Sequence, residues 1–338
     1  MEKIKVGIVG LGRLGSSHCK NLLEKVYHAE LVAACSIVPA ELEFAREMNI
    51  KGIYDDFGKM LKEEKLNAVV LATSTHVHAD QIIAALEAGC HVFCEKPLAI
   101  ELADCQKVVD KAAQYSDKIV MIGFVRRFDK SYISAKKKID EGLIGDVFKI
   151  HSLTSDWDEF AEFQVKFSQT SGGIFHDYNI HDIDLAHWLL GSRFKSVYSI
   201  GCSLAYPQFA EMGSADNTTC LAEMDNGGIA TIAASRTEPH GHGTHTIVNG
   251  TKGTLAIGLV PAESRLEIYD QHGVRQECVK TFFERFDDAF LEELVCFIDA
   301  IRKGEPSPIS LNESMEATRV AIAMTESFDK KKVVLIER

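Results

Sequence analysis

"IKVGIVGLGRLGSS" (residues 4–17) decides how the first third of the chain is read. It opens on an apolar run, "IKVGIV", of the kind a strand buried on both faces requires. The run passes directly into Gly10-Leu11-Gly12-Arg13-Leu14-Gly15, a GxGxxG turn, and then into helix-like "SSHCKNLLEKV". A second β-type run, "AELVAAC" (29–35), closes the unit at the length a strand–turn–helix–strand motif needs. The three glycines act differently. Gly10 permits the tight turn, Gly12 lets the backbone approach a pyrophosphate, and Gly15 allows close helix–strand packing. The N–H groups at the start of the helix face the phosphates. This context marks a dinucleotide site.

One element departs from that pattern. An acid binding the adenosine ribose hydroxyls is expected at the end of the second strand, where this chain has Ser36, and the nearest downstream acid is Glu41. Ser36 removes a charge that would repel a 2′-phosphate, yet no Arg follows to bind one, and Arg13 is the nearest base. The residues therefore specify a dinucleotide and leave NAD and NADP both open.

Strand and helix continue to alternate. "NAVVLAT" (67–73), ending at Thr73, reads as a buried strand, "HADQIIAALEAG" as a helix with Gly89 at its C-terminus, and "HVFCEKP" (91–97) as the next strand. "ELADCQKVVDKAAQYS" and "KIVMIGF" repeat the pattern. Such alternation implies a parallel, doubly wound sheet that binds its ligand at the strands' C-terminal ends. Glu95-Lys96-Pro97 ends one of those strands, which directs the Lys96 ammonium to the ligand crevice, where it stabilises a developing alkoxide.

After Phe124 the alternation stops. "RRFDKSYISAKKKIDEGLIG" is a basic helix, and from about Gly145 extended segments turn at 225–228, within "TIVNGTKGTLAIG", and at "DQHG". Helices are expected at roughly 175–190 and 284–303, with "KVVLIE" as a closing strand. The fold class is thus α/β, with a parallel doubly wound domain over 1–124. A second α/β domain with a large, open, mostly antiparallel sheet follows over 125–338, suited to substrate binding and assembly.

"GGIFHDYNIHDIDLAHWLLG" (172–191) carries three histidines and three aspartates on what reads as a helix. Asp177, His181, Asp184 and Trp188 stand at i, i+4, i+7 and i+11, one face of a regular helix. A carboxylate one turn from an imidazole orients it and raises its basicity, the arrangement of a general base. A metal site would need further ligands; His176 lies off this face and no Cys or Glu partner stands nearby, so no metal is expected.

Composition limits the rest. The chain has 338 residues, a formal net charge of −12 and 46% hydrophobic residues, which fits two folded domains and disfavours nucleic acid and anionic membranes as partners. No 18-residue apolar run or signal-like segment is present, and nine cysteines without a CxxC pair read as reduced core thiols of a cytoplasmic protein.

Gly10 to Gly15, "EKPLA" (95–99), "GFVRRFD" (123–129), "SGGIFHDYNIHDIDLAHWL" (171–189) and the late "ERFDDAFLEELVCFIDAI" together resemble the glucose–fructose oxidoreductase / inositol 2-dehydrogenase / rhizopine-catabolism (Gfo/Idh/MocA) family, most of all its inositol dehydrogenase branch. The resemblance implies an N-terminal Rossmann domain, a C-terminal α/β domain whose open sheet packs in homotetramers, and NAD- or NADP-dependent oxidation of a ring hydroxyl on an inositol or other polyol or sugar. It implies catalytic roles for Lys96, Asp177 and His181, the last taking the hydroxyl proton. It places Arg127, Asp156 and His242 at the substrate, and Gly10, Gly12, Arg13, Leu14, Gly15, Ser36, Thr73, Glu95 and Lys96 at the cofactor. The loops "SDWDEFAEFQ" and "EPHGHGTH" (238–245) depart from the branch, and His240, His242 and His245 read equally as polyol ligands or as a solvated loop. A different sugar substrate and a non-catalytic dinucleotide-binding sensor are the competing readings.

Overall fold

The computed structural model describes residues 3–168 and 171–337. The chain divides into two compact units, Met1–Val125 with Asp288–Thr318, and Arg126–Asp287 with Arg319–Arg338. The late segment Asp288–Thr318 thus groups with the first unit.

The first unit alternates strand and helix: β1 (Ile4–Val9), α1 (Arg13–Glu24), β2 (Ala29–Cys35), α2 (Pro39–Glu47), β3 (Gly52–Tyr54), α3 (Phe57–Glu63), β4 (Ala68–Leu71), α4 (His78–Glu87), β5 (His91–Glu95), α5 (Leu102–Ala113) and β6 (Val120–Gly123). The six strands form one parallel sheet in the order β3-β2-β1-β4-β5-β6. The order reverses between β1 and β4, so the glycine turn after β1 and Thr73 after β4 lie at the switch point where such sheets bind ligands. All four residues of β4 and of β6 are buried, which is why their sequences lack polar alternation. Ala79, Ile82, Ala85 and Leu86 form the buried stripe of α4, and each large aliphatic contributes about 1.5–3 kcal/mol by leaving water. α2, β3 and α3 are short, and the sequence pattern did not separate them.

The second unit holds α6 (Lys130–Asp140), β7 (Val147–Trp157), α7 (Ala161–Ser168), a π-helical turn (Phe175–Asn179), α8 (Ile180–Leu190), β8 (Phe194–Cys202), α9 (Gln208–Glu211), β9 (Asn217–Met224), β10 (Ile229–Glu238), β11 (Gly243–Gly250), β12 (Gly253–Ile257), β13 (Ile268–Asp270) and β14 (Gly273–Arg275). α10 (Phe282–Lys303) runs on into the first unit, with a non-helical residue at Phe286 (φ −120°, ψ 19°) close to the boundary. α11 (Leu311–Lys330) leads back to β15 (Val334–Leu335). Seven strands form one sheet, β12-β11-β7-β10-β9-β8-β15, antiparallel except for the β7–β10 pair. β9 alternates strictly: Thr218, Cys220, Ala222 and Met224 are buried, while Thr219, Leu221 and Glu223 point to the open face.

None of the described helices is long and apolar enough to cross a membrane.

Candidate active site

The glycine turn has the geometry its sequence demands. Gly10 adopts φ +79°, and a Cβ there would meet the Ala72 carbonyl oxygen at 2.6 Å; a Cβ on Gly15 would meet the Gly10 carbonyl oxygen at 2.0 Å. Gly12, the N-cap of α1, brings no side-chain cap, and an added Cβ there would reach only Glu41 Oε1, at 3.5 Å. A glycine-lined cradle at an uncapped helix start fits a pyrophosphate. Arg13 is exposed, Leu14 half-buried, and the Ser36 hydroxyl lies 2.6 Å from Glu41 Oε2.

The end of β5 is held from several sides. Glu95 is buried, with Oε1 2.6 Å from Nε2 of His18 on α1, and Glu293 of α10 brings a second buried carboxylate to within 3.9 Å of the same nitrogen. Burial and the Glu95 charge push the Glu293 carboxyl well above its ordinary 4.5. His18, Glu95 and Glu293 are close enough to suggest a metal, but two atoms sharing a zinc at about 2.0–2.2 Å each sit more than ~3 Å apart in a tetrahedral site. The 2.6 Å contact is therefore a hydrogen bond between the two side chains. Lys96 follows, half-buried. His78, fully buried, places Nδ1 2.8 Å from the Pro97 carbonyl and Nε2 3.1 Å from the Thr73 carbonyl, so one side chain ties the segment after Lys96 to the segment after β4. Burial pushes the His78 pKa down, while the two carbonyls pull the other way. Thr73 also donates from Oγ1 to Gln81 at 2.6 Å.

In the second unit the 172–191 stretch is not the regular helix its spacing suggests. Phe175–Asn179 forms a π-helical turn before α8 begins. The wider turn shifts Asp177 relative to His181, Asp184 and Trp188, which stay together on the regular helix. Asp177 and His181 are half-buried, whereas Phe175, His176, Tyr178, Asn179, Ile180, Asp182 and Asp184 are buried. π turns of this kind occur often at functional sites.

The buried acids serve the fold. Asp184 takes Arg127 in a two-pronged ion pair, with Nη2 2.6 Å from Oδ1 and Nε 2.9 Å from Oδ2, and the Trp188 ring lies 5.4 Å from the guanidinium carbon. Arg127, which the resemblance places beside substrate, thus has its guanidinium engaged inside this unit and is 7% exposed. Asp182 likewise accepts from Arg126 Nη1 at 2.8 Å, Ser152 at 2.6 Å and Thr154 at 2.7 Å.

Asp156 and His242 come together. His242 Nδ1 lies 2.7 Å from Asp156 Oδ1, while Asp156 Oδ2 accepts from the Tyr178 hydroxyl at 2.6 Å and from Gln164 Nε2 at 3.1 Å. Burial, and next the Asp156 charge, push the Tyr178 hydroxyl well above its ordinary 10, so it stays a donor. His242 packs edge-on against Phe282 and Phe286, and its Nε2 has no hydrogen-bond partner among the described residues. The three loop histidines diverge: His242 is buried, His240 lies 3.4 Å from Glu238 near the surface, and His245 on β11 faces His151 across the open side of the sheet.

Sequence reasoning missed Arg236. It is fully buried on β10 between the Tyr178 and Phe209 rings, at 4.9 and 4.5 Å, donates to Ser168, and brings Nη2 to 3.8 Å from Asp177 Oδ2. A lone Arg in a β-type run gives no signal of its own; only the strand register reveals its neighbours.

Models of a known oxidoreductase family match nearly the whole chain. The NAD-binding Rossmann fold matches residues 4–124, and the C-terminal alpha/beta domain matches residues 136–336. The chain belongs to the Gfo/Idh/MocA oxidoreductase family. A family relative, the scyllo-inositol 2-dehydrogenase (NAD(+)) of Bacillus subtilis, is 34% identical over 97% of this chain and 94% of its own length. The scyllo-inositol dehydrogenase of Lactobacillus casei, solved with bound NAD(H) and scyllo-inositol, superposes with a TM-score of 0.96 at 36% identity, over 99% of each chain. The myo-inositol 2-dehydrogenase of Lactobacillus plantarum superposes at 0.97 with 32% identity, over 99% of this chain and 100% of the other. The Gfo/Idh/MocA assignment accounts for both units and for the glycine cradle.

Proposed function

We propose that this protein is an NAD-dependent inositol dehydrogenase that oxidises one ring hydroxyl to a ketone. The observation that carries the reading is the full-length likeness, at 36% identity, to an enzyme solved with NAD(H) and scyllo-inositol. NAD held at Gly10, Gly12 and Gly15 supplies a hydride acceptor.

The chain's own residues do the rest. His181 removes the hydroxyl proton as the carbinol hydrogen leaves as hydride, so the alcohol loses two electrons and two hydrogens and becomes a ketone. Asp177 orients His181, and the buried Arg236 brings Nη2 to 3.8 Å from Asp177 Oδ2 and helps to place that carboxylate. Lys96 stabilises the negative charge that develops on the hydroxyl oxygen as its proton leaves. Asp156 and His242, aligned on each other, position a polyol hydroxyl.

The protein works as a homotetramer in the cytoplasm. The open face of the seven-stranded sheet supports assembly: Tyr198 and Leu221 lie side by side on β8 and β9, with Ile200 and Ile229 also exposed. A face with that much apolar surface favours a partner sheet. The nine cysteines are free, which suits a reducing compartment.

The test is initial-rate reduction of NAD against myo-, scyllo- and chiro-inositol and common aldoses. Turnover with one inositol above every aldose is the expected result. Higher activity on an aldose would move the substrate to another sugar, and cofactor binding without any turnover would make the protein a sensor.

A further inference from the structure

The Gfo/Idh/MocA chain has a serine where a Rossmann fold ordinarily places the acid that reads the adenosine ribose. The structure supplies an acid to the same spot from a different element. Glu41, in the first turn of α2, accepts a hydrogen bond through Oε2 from the Ser36 hydroxyl at 2.6 Å and from the Leu11 backbone N–H at 2.8 Å. Ser36 in turn accepts at Oγ from the Val38 N–H at 3.0 Å, so the strand end, the helix start and the glycine turn are joined through one carboxylate. Both donors converge on Oε2, which leaves Oε1 for a further donor; an ionised carboxylate has about four acceptor directions. Oε1 is also the atom that a Cβ on Gly12 would approach, at 3.5 Å, so Glu41 borders the middle of the cradle.

A second observation points to a ligand at the same place. Ile37, between Ser36 and Glu41, is 88% exposed and Val38 is 43% exposed. Two β-branched apolar side chains left in water beside a fixed carboxylate form a site with an apolar platform and an anionic acceptor. An adenosine matches it, with a flat base for the platform and a ribose diol of two hydroxyl donors for the acid. A 2′-phosphate does not match, because it replaces a donor with a dianion-forming group that Glu41 repels.

We infer that Glu41, held in place by Ser36 and Leu11, is the residue that binds the adenosine ribose and makes this protein specific for NAD over NADP. The inference rests on the dinucleotide reading above, and it removes the ambiguity that Ser36 alone creates. Ser36 has not lost the acid but holds it, and the exposed Arg13 is not a 2′-phosphate ligand.

Calorimetric titration of the full chain with NAD and with NADP tests this without turnover. The unmodified protein should bind NAD more tightly. Glu41→Gln keeps the size but not the charge, and should weaken NAD binding roughly ten- to a hundredfold, the usual weight of a charge-assisted hydrogen bond, while narrowing the gap to NADP. Ser36→Ala, which frees the carboxylate without removing it, should shift both in the same direction by less. Ser36→Asp in the Glu41→Gln background returns an acid to the strand end and should restore the preference. An unchanged NAD-to-NADP ratio in Glu41→Gln, or tighter NADP than NAD in the unmodified protein, overturns the assignment and leaves the family reading intact. Binding of neither dinucleotide would overturn the dinucleotide reading itself.

Discussion

Nε2 of His18 lies 2.6 Å from Oε1 of Glu95, the residue immediately before Lys96, so the helix that follows the glycine turn is tied to the strand end that carries the lysine. Glu293 is the third member of this buried group, and neither of its oxygens has a hydrogen-bond partner among the described residues. An unpaired carboxyl in that position holds its proton, and burial raises its pKa well above 4.5.

The sign of the resulting pH dependence follows directly. Between 4.5 and the raised native value the folded protein binds one more proton than the unfolded chain, so the stabilisation is full below 4.5 and declines as pH rises. Glu293→Gln, which mimics the protonated form, should flatten this part of the profile. Thermal melts from pH 5 to pH 9 should show the variant gaining on the parent as pH increases. A constant difference across the range would mean that Glu293 is ionised in the native state.

Removing His181 should separate chemistry from binding. His181→Ala is expected to lower kcat by about 10²–10⁴, the usual contribution of a general base, with NAD affinity unchanged. The acid limb of the pH–rate profile should disappear with it. Full turnover in the variant with the limb retained would assign the proton to another group.

Thiol labelling reports on burial and assembly together. Burial holds Cys19, Cys35, Cys90, Cys105 and Cys220 at about 11, and pushes Cys94 well above its ordinary 9.0. A thiol at about 11 is roughly one part in a thousand thiolate at pH 8, so these six should react with an aromatic disulfide reagent only after unfolding. Cys202 is exposed at the end of β8, on the same face as Tyr198 and Ile200. It should react fast in dilute protein and slow as concentration rises, if the open sheet face is the tetramer contact. Concentration-independent labelling would place the contact elsewhere.

The first unit was legible because its signals are local. The glycine turn, the apolar runs and the helix stripe of Ala79 to Leu86 each specify their own geometry within a few residues. The second unit was legible only in outline, since hairpin turns such as 225–228 fix pairing but not which side chains meet across non-consecutive strands. Arg236 and Asp156 are examples: their partners Asp177 and His242 stand 59 and 86 positions away, 236 − 177 and 242 − 156. The π turn at Phe175–Asn179 was invisible for another reason. Periodicity assumes a constant 3.6 residues per turn, and one wider turn is enough to shift Asp177 off the spacing that His181 and Asp184 keep on α8. Glu41 is the nearest downstream acid in the sequence, but only the hydrogen bonds from Ser36 and Leu11 give it a role.

Arg127 provides the sharpest division between support and contact. Its guanidinium is bound through two nitrogens to Asp184 in a buried setting, beside Trp188. Removing one partner of such a pair leaves an uncompensated charge and destabilises by about 3–5 kcal/mol, whereas replacing both with apolar residues is often neutral. Asp184→Asn and Arg127→Met should therefore each lower the Tm by several degrees, and Arg127→Met with Asp184→Leu should recover most of the loss. The kinetics of the double variant then decide the role. A KM for inositol near that of the parent makes Arg127 a support for α8. A KM raised tenfold or more at restored stability would make Arg127 a substrate contact as well, acting from inside its ion pair.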